Sequence, residues 1–392
     1  MDSKRNFDVI VIGAGIMGLC VAYYLIKNKL SVLVIDKDFI NNSTSGACNG
    51  NIIVGNRNPD SLSRFLLQSL HEYLELNQIL NEKFEFNQKG SLLIINEEFY
   101  LNEVKYLFEE QFKIGIKLEF MPKSYINKNI IINLGAGEFG GLFSAIDSSI
   151  NPHLFCFSLK NYIERKKGIF SLYEEVVKIT KSKKKGFKIE TKKNIYFSDY
   201  LVNCAGYFAP TISKMLNESI PIIKNKGCIL VTEALDEILP LIFLDWKDIS
   251  YDKSASLIKK INNKNKKYNF IAEQTKSGNI LLGKSEEIVE EISDISVDTI
   301  KGIANLAVSY LPILNCIKII RSYQGIRPVT PDNLPIIGES SENEGFYYAT
   351  GHGGFGISMA PITGKIISNI ITKGGDTFDI SLFAPKRFLR QE

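Results

Sequence analysis

The sequence predicts an α/β (α+β) protein in two parts: a parallel-sheet layer whose pieces are spread along the chain, and an antiparallel sheet inserted between them. Three observations carry this. Residues 7–38 run apolar strand, glycine-rich turn, apolar helix, apolar strand. Residues 215–318 hold strand-like runs and one strong helix. After Arg321 the glycine-rich style of the opening returns. At 392 residues the chain is long for one core. Residues 1–85, 140–214 and 319–392 are therefore expected to form one discontinuous domain, and 86–139 with 215–318 the other.

The first element is the most specific. Asp8–Ile12 is a short apolar run that reads as a buried strand. It meets Gly13-x-Gly15-x-x-Gly18, with Ile16 and Met17 between the last two glycines, and then an apolar helical stretch. A second strand ends on Asp36, followed by Lys37. This is the βαβ fingerprint of a Rossmann-like dinucleotide site. Gly13 permits the tight turn, Gly15 lets backbone approach a pyrophosphate, and Gly18 lets the helix pack close to the sheet. The helix N-terminus offers unpaired N–H groups to the anion. Asp36 can accept both ribose hydroxyls and disfavours a 2′-phosphate. The fingerprint by itself leaves NAD and FAD open.

Further along, the apolar spacing from Leu62 to Leu76 predicts a helix over 61–80. Phe84–Phe86 and Ser91–Ile95 read as strands around a Lys-Gly turn, and 102–114 as a helix. Gly140–Phe143 reads as a strand, and Pro152 fits the first turn of a helix over 153–166. Val176–Ile179, Phe187–Glu190 and Tyr200–Asn203 read as strands, the last running into Cys204-Ala205-Gly206. Cys228–Thr232, Phe270–Thr275 and Asn279–Leu282 are strand-like without intervening helices, which implies an antiparallel sheet. Val297–Tyr310 is the one good helix there.

Composition excludes several classes. Apolar content of 45%, charged content of 23% and net charge +4 are those of an ordinary globular protein. Lysines cluster in Lys160–Lys167, Lys181–Lys193 and Lys259–Lys267 without interleaved aromatics at stacking spacing, so they read as solvated loops rather than a nucleic-acid face. No apolar stretch reaches membrane-spanning length, and the first apolar run is the opening strand rather than a signal peptide. The six cysteines are scattered with no CxxC pair, which argues against zinc, iron–sulfur and disulfide frameworks. Buried small apolar cysteines in a reduced, cytoplasmic protein are expected. His71, His153 and His352 lack metal-ligand spacing, and neither HExxH nor GxSxG occurs.

Taken together, the residues resemble the D-amino acid oxidase superfamily of FAD-dependent oxidoreductases. The resemblance covers nearly the whole chain. It rests on GAGIMG with Asp36, the Ser43–Asn51 loop, the Val202–Gly206 strand end, Gly325–Gly338 (GIRPVTPDNLPIIG) and Gly351–Ile357 (GHGGFGI). It favours FAD over NAD and implies oxidation of a small amino or imino acid by hydride transfer to flavin N5. In style the chain is nearest the D-hydroxyproline dehydrogenase, hydrogen cyanide synthase and sarcosine oxidase β type of catalytic subunit, and glycine oxidase.

The resemblance also assigns residues. Ser43, Thr44, Ser45, Asn49, Gly50 and Asn51 belong to the loop running from pyrophosphate to flavin. Val176 matches a position whose backbone pairs with adenine. Ala205 and Gly206 match a tight strand end beside the cofactor. Gly351, Gly353, Gly354, Phe355, Gly356 and Ile357 open a last helix whose positive end faces the flavin. His352 either adds to that charge or holds the turn. Arg327 matches the arginine that grips the substrate carboxylate through two parallel bonds; the plain alternative is an interface arginine paired to Asp332. No cysteine stands near Gly325, so FAD is expected to be non-covalent. A second pocket arginine known in glycine oxidase is replaced here by Gly353-Gly354-Phe355, and a pocket tyrosine has no clear match among Phe270, Ile271 and Glu273. Three readings stay open: a dehydrogenase passing electrons to a quinone, carrier or partner subunit, an oxidase using oxygen, and a non-catalytic FAD-binding subunit. No nucleic-acid partner is implied.

Overall fold

A computed structural model describes residues 5–57, 61–81, 83–98, 100–131, 133–182, 186–246, 266–375 and 378–388. Within the lysine runs, Lys183, Lys184, Lys185, Lys259, Lys260 and Lys264 lie outside the described residues.

The first sheet is centred on β1 (Asn6–Ile12), parallel to β2 (Val32–Ile35) on one side and to β11 (Ile195–Asn203) on the other. β8 (Ile169–Ser171) extends it past β2, and β18 (Phe346–Thr350) past β11, both parallel. β17 (Ile336–Glu339) closes that edge antiparallel. A meander of β9 (Val176–Lys181) and β10 (Phe187–Thr191) folds back onto β11. β1 is apolar on every residue from Val9 to Ile12 because both faces are covered. Val9 and Val11 face a helical core of α1 (Ile16–Lys27), α5 (Pro152–Arg165) and α8 (Gly356–Lys373). Ile10 and Ile12 face the meander and α6 (Ala209–Lys214).

The second sheet runs β16 (Ile319–Val329), β12 (Ile223–Ala234), β15 (Asn279–Ile288), β14 (Lys267–Gln274), β13 (Ile242–Asp245), β4 (Ser91–Ile94), β6 (Gly141–Ser144), β5 (Leu118–Met121). Every joint is antiparallel except β13 on β4. Side chains alternate faces. Cys228, Leu230, Phe270, Ala272 and Leu282 pack under Ile303, Ala307 and Tyr310 of α7 (Val297–Tyr310), whereas Ile271 joins the first core. The odd-numbered positions of β14 and β16 thus face the first layer. A two-stranded ribbon of β3 (Asn51–Ile52) and β7 (Ser148–Ser149) lies between, and α2 (Ser63–Ile79), α3 (Tyr100–Lys113) and α4 (Lys123–Asn129) complete the helices of the described residues.

The helix over 297–310, the helix beginning at Pro152 and the βαβ opening stand as the sequence indicated. Phe84–Phe86 is not a strand. Glu85 adopts a positive φ of 56°, which breaks the extended run, and only Asn87 forms a bridge, to Ser149. β6 and β16, which the sequence grouped with the first layer, are hydrogen-bonded into the second sheet. Cys20, Cys156, Cys204 and Cys228 are buried, while Cys48 is half-buried and Cys316 exposed.

α8 contains Pro361, which cannot donate to the carbonyl of Ile357 one turn earlier. The buried Tyr73 hydroxyl donates to that carbonyl instead, at 2.7 Å. The first turns of α8 are therefore held from α2. Tyr73→Phe should lower unfolding stability by about 1–3 kcal/mol, since it leaves a buried carbonyl unsatisfied. Urea unfolding checks this; a midpoint equal to wild type would overturn it.

Candidate active site

The carboxyl ends of β1, β2 and β11 form a crevice at the point where the order of the first sheet reverses. Gly13 has φ 111°, and a Cβ there would come within 2.4 Å of the Cys204 carbonyl oxygen. A Cβ on Gly18 would come within 1.9 Å of the Gly13 carbonyl oxygen. α1 thus begins directly at the strand ends, with Ile16 and Met17 buried in its first turn. Its N-cap, Gly15, gives no side-chain cap, and no acidic residue lies in the first turn. The Ile16 amide donates to Ser45 Oγ at 3.1 Å, so the Ser43–Asn51 loop crosses this helix end.

Asp36 ends β2. Its Oδ2 accepts from the Ala14 amide at 2.6 Å and its Oδ1 from the Asp38 amide at 2.9 Å. Burial raises its pKa, while the two amide bonds favour the charged form. Each oxygen keeps a lone pair for a further donor. Lys37 Nζ sits 3.4 Å from the centroid of the Phe208 ring, which bridges the ends of β2 and β11. Val176 is the buried first residue of β9, which pairs on one side only. Glu174, just before it, donates its amide to the Asp36 carbonyl at 2.9 Å, so these residues sit together. Ala205 and Gly206 follow β11; Gly206 has φ 58°, and a Cβ there would meet nothing within 4 Å.

The loop then ties the two sheets together. Thr44 Oγ1 donates to the Ile326 carbonyl at 2.5 Å, and Tyr323 donates its hydroxyl to the Cys48 carbonyl at 3.2 Å. A Cβ on Gly325 would come within 2.8 Å of Ala47 Cβ. Tyr323, Gly325 and Arg327 therefore share the face of β16 turned to this loop. Ser43 is exposed and Asn49 half-buried. Gly50 (φ 83°) turns the chain into β3, where Asn51 pairs with Ser149. Both polar atoms of the buried Asn51 carboxamide lack a hydrogen-bond partner.

The Arg327 guanidinium lies across Gly227 of β12 and donates from Nη1 to the Ser285 carbonyl at 3.3 Å. Among the described residues no carboxylate pairs with it. Asp332 belongs to Arg387, at 2.7 Å. The interface pairing weighed from sequence is thus absent.

Gly351–Ile357 brings the start of α8 to β16, with a bridge between Val329 and His352. Gly354 has open space where a side chain would begin, and Phe355, half-buried, lies under Arg57 with the guanidinium 4.4 Å from the ring centroid. Gly353 and Gly356 carry the chain into the helix, and Phe355 gives no side-chain cap. His352 is buried, its Nε2 3.0 Å from Thr363 Oγ1, and burial lowers its pKa to about 3. Of the two expectations for His352, burial favours the neutral imidazole and so the one in which it holds the turn. Glu273, weighed from sequence only as a possible match for a pocket tyrosine, is a buried carboxylate on β14. An acid at an inward position of an otherwise apolar strand (Phe270-Ile271-Ala272-Glu273) was the available signal.

The sequence matches the model of the DAO family, described as FAD dependent oxidoreductase, over residues 8–370. The chain belongs to this family. It is an FAD-dependent oxidoreductase. It is 27% identical over 381 residues to glycerol 3-phosphate dehydrogenase of Caloramator mitchellensis, covering 93% of this chain and 74% of that protein. It is 24% identical to the mitochondrial dimethylglycine dehydrogenase of Homo sapiens, covering 98% of this chain but 45% of that protein, so it spans less than half of that relative. The glycine oxidase structure from Geobacillus kaustophilus shares the fold at a TM-score of 0.86 and 19% identity, covering 98% of this chain and 100% of that one. Among the described residues no helix is long and apolar enough to cross a membrane. The crevice fits FAD: two helix N-termini whose N-cap residues give no side-chain cap, a carboxylate at the end of β2, and open space over Gly206 and Gly354.

A histidine with folded pKa of about 3 and an ordinary value of 6.5 binds fewer protons folded than unfolded between those pH values. Its contribution to stability is present above pH ~6.5 and falls away as pH drops toward 3. His352→Gln should therefore flatten the decline of thermal stability between pH 6.5 and 4. A slope identical to wild type would count against it.

Proposed function

We propose that this chain oxidises the C–N bond of a small amino or imino acid, of the D-amino acid, D-hydroxyproline, sarcosine or glycine type, with non-covalent FAD. The observation that carries the reading is Arg327: a half-buried guanidinium without a carboxylate partner among the described residues, on the sheet face turned to the Thr44–Ala47 loop. Its five donors suit a substrate carboxylate held by two parallel bonds. Held there, the substrate is fixed at its carboxylate end and oriented for reaction. When bound, FAD supplies the hydride acceptor, and the resulting imine is hydrolysed by water.

In this reading Gly13, Gly15, Ile16, Met17 and Gly18 hold the pyrophosphate, with Ser45 beside them. Asp36 and Lys37 hold the adenosine end, Val176 the adenine, and Ala205 and Gly206 the passage to the flavin. Ser43, Thr44, Asn49, Gly50 and Asn51 line the flavin from one side, and Gly351–Ile357 from the other through the positive end of α8. His352 is placed as a support of that turn rather than as a catalytic group. We favour a dehydrogenase that passes electrons to a carrier or partner subunit; an oxygen-using oxidase is the alternative. The division into an FAD-binding and a substrate-binding domain is part of the same proposal, with β6 and β16 assigned to the second.

The Caloramator relative makes a phosphate ester the specific rival, since a guanidinium also grips phosphate. Anaerobic bleaching of the flavin with sarcosine, glycine, D-proline, cis-4-hydroxy-D-proline, other D-amino acids and sn-glycerol 3-phosphate decides between them. Bleaching by an amino or imino acid is expected. Bleaching by sn-glycerol 3-phosphate alone would overturn the reading. Slow recolouring in air marks a dehydrogenase and fast recolouring an oxidase. Arg327→Lys should raise KM for the bleaching substrate at least about tenfold, the loss of one good charged hydrogen bond.

A second expectation concerns the cofactor. Acid should strip all flavin from the protein, and Asp36→Ala should rebind FAD at least about tenfold more weakly than wild type, by loss of its ribose bonds. Equal affinity in fluorescence titration would remove Asp36 from the site.

A further inference from the structure

β12 runs between β15 and β16 in the second sheet, and Gly227 lies in its interior between the buried Lys226 and Cys228. Glycine weakens a strand interior, so its presence there has a local cause. Backbone conformation is not that cause, because φ at Gly227 is not positive. The cause is Arg327. A Cβ on Gly227 would come within 2.3 Å of Arg327 Nη1, 2.4 Å of Nη2 and 2.5 Å of Cζ, and no other atom would lie nearer. The Nη end of the guanidinium therefore fills the space that a side chain would take. Gly325, opposite on β16, differs: a Cβ there would meet Ala47 of the crossing loop.

The strand on the other side of β12 is shaped to the same guanidinium. The ladder between β12 and β15 pairs Lys226 with Glu287 and resumes with Ile229 on Gly283. Gly227 and Cys228 thus face three residues of β15, Lys284, Ser285 and Glu286, which form a bulge. At the bulge the Ser285 carbonyl accepts from Arg327 Nη1 at 3.3 Å, and Ser285 Oγ accepts from the Cys228 amide at 3.0 Å. Ser285 gives its carbonyl to the arginine while its hydroxyl serves the β12 amide opposite.

We propose that Gly227 is a positioning residue for the substrate: by lacking a side chain it seats the Nη1–Nη2 end of Arg327 against the sheet, and so turns the other edge of the guanidinium, Nε–H with Nη2–H, to both oxygens of the substrate carboxylate. The proposal rests on the role given to Arg327 above.

The donor inventory supports it. A guanidinium offers a carboxylate two parallel bonds along one edge at a time. The Nη1–Nη2 edge is turned to Gly227 and the Ser285 carbonyl, whereas Nε and Nη2 have no acceptor among the described residues. The crossing loop bounds the seat: Thr44 bonds the Ile326 carbonyl, and burial raises the Cys48 thiol pKa while the charge of Arg327 opposes it. An arginine held this way before the substrate arrives loses less side-chain freedom on binding. A methyl on Gly227 would meet the far end of a flexible side chain rather than backbone. The strand therefore tolerates it, and the guanidinium is what moves.

The test uses FAD-loaded wild type, Gly227→Ala, Arg327→Ala and the double variant. It reads the second-order rate constant of anaerobic flavin reduction at low concentrations of the amino or imino acid that bleaches wild type. Gly227→Ala should lower this constant at least about tenfold, the loss of one good charged hydrogen bond. In the Arg327→Ala background the same methyl should change it less than about twofold, because no guanidinium is there to displace. Acetate, a carboxylate without an amine, should bind Gly227→Ala at least about tenfold more weakly than wild type, read from the flavin spectrum. FAD affinity in fluorescence titration should stay within about twofold in all four proteins, since distant sites do not couple. Equal losses from Gly227→Ala in both backgrounds would overturn the proposal, as would wild-type acetate binding and rate in the single variant. Should Gly227→Ala fold only in the Arg327→Ala background, the collision with the guanidinium is supported; failure in both backgrounds overturns it. If no amino or imino acid bleaches wild type, or Arg327→Ala leaves the constant unchanged, the Arg327 reading falls and this one with it. If Arg327→Ala is costly and Gly227→Ala indifferent, only the role of Gly227 falls.

Discussion

The close approach of backbone at the start of α1 governs the site. β1 and β11 end so near one another that a side chain on Gly13 would collide with the Cys204 carbonyl, and α1 begins so abruptly that one on Gly18 would collide with Gly13. The result is a helix N-terminus set at the strand ends whose own N-cap residue supplies no side-chain cap and whose first turn holds no acid. The crossing loop takes its position from this end, through Ser45 on the Ile16 amide. From there Thr44 reaches Ile326, so the second sheet is docked through the loop that the first βα turn organises.

α8 answers from the opposite side. Its Gly364 sits so close to α1 that a Cβ would come within 2.6 Å of the Cys20 backbone, and Pro361 is tolerated because Tyr73 serves the carbonyl it strands. The two helices are thus clamped together. His352, buried and bonded to Thr363, ties the turn before α8 to the helix, and burial favours its neutral form.

In the function proposed, substrate choice belongs to the second sheet. One of its faces is sealed by α7; the other carries Arg327 and Glu273 on strands whose intervening positions are glycine or apolar. Family membership fixes the redox cofactor, and relatives named for quite different substrates share the fold, so the fold by itself does not select the substrate.

The βαβ opening was fully legible because its signals are local: strand, glycines, helix and acid are adjacent in the chain, and each has its own steric or electrostatic reason. The helix over 297–310 was legible from its periodicity. Phe84–Phe86 failed because a single positive φ at Glu85 cancels an apolar pattern that says nothing about φ. β5 and β13 are four-residue strands, too short for a periodic signal, and are held by neighbours distant in sequence. Likewise β6 follows a glycine-rich segment and β16 carries Gly325 at the start of one, in the style of the first layer, but their ladder partners lie in the second. By itself, then, the sequence determined the dinucleotide crevice, the two-part architecture and Arg327 as the carboxylate candidate. Tertiary structure alone decided that Asp332 is taken by Arg387, that His352 is buried against Thr363, and that Glu273 is buried beside Lys89. Charge, burial and pairing depend on which strands become neighbours, and that is settled by long-range hydrogen-bonded ladders rather than by any local run of residues.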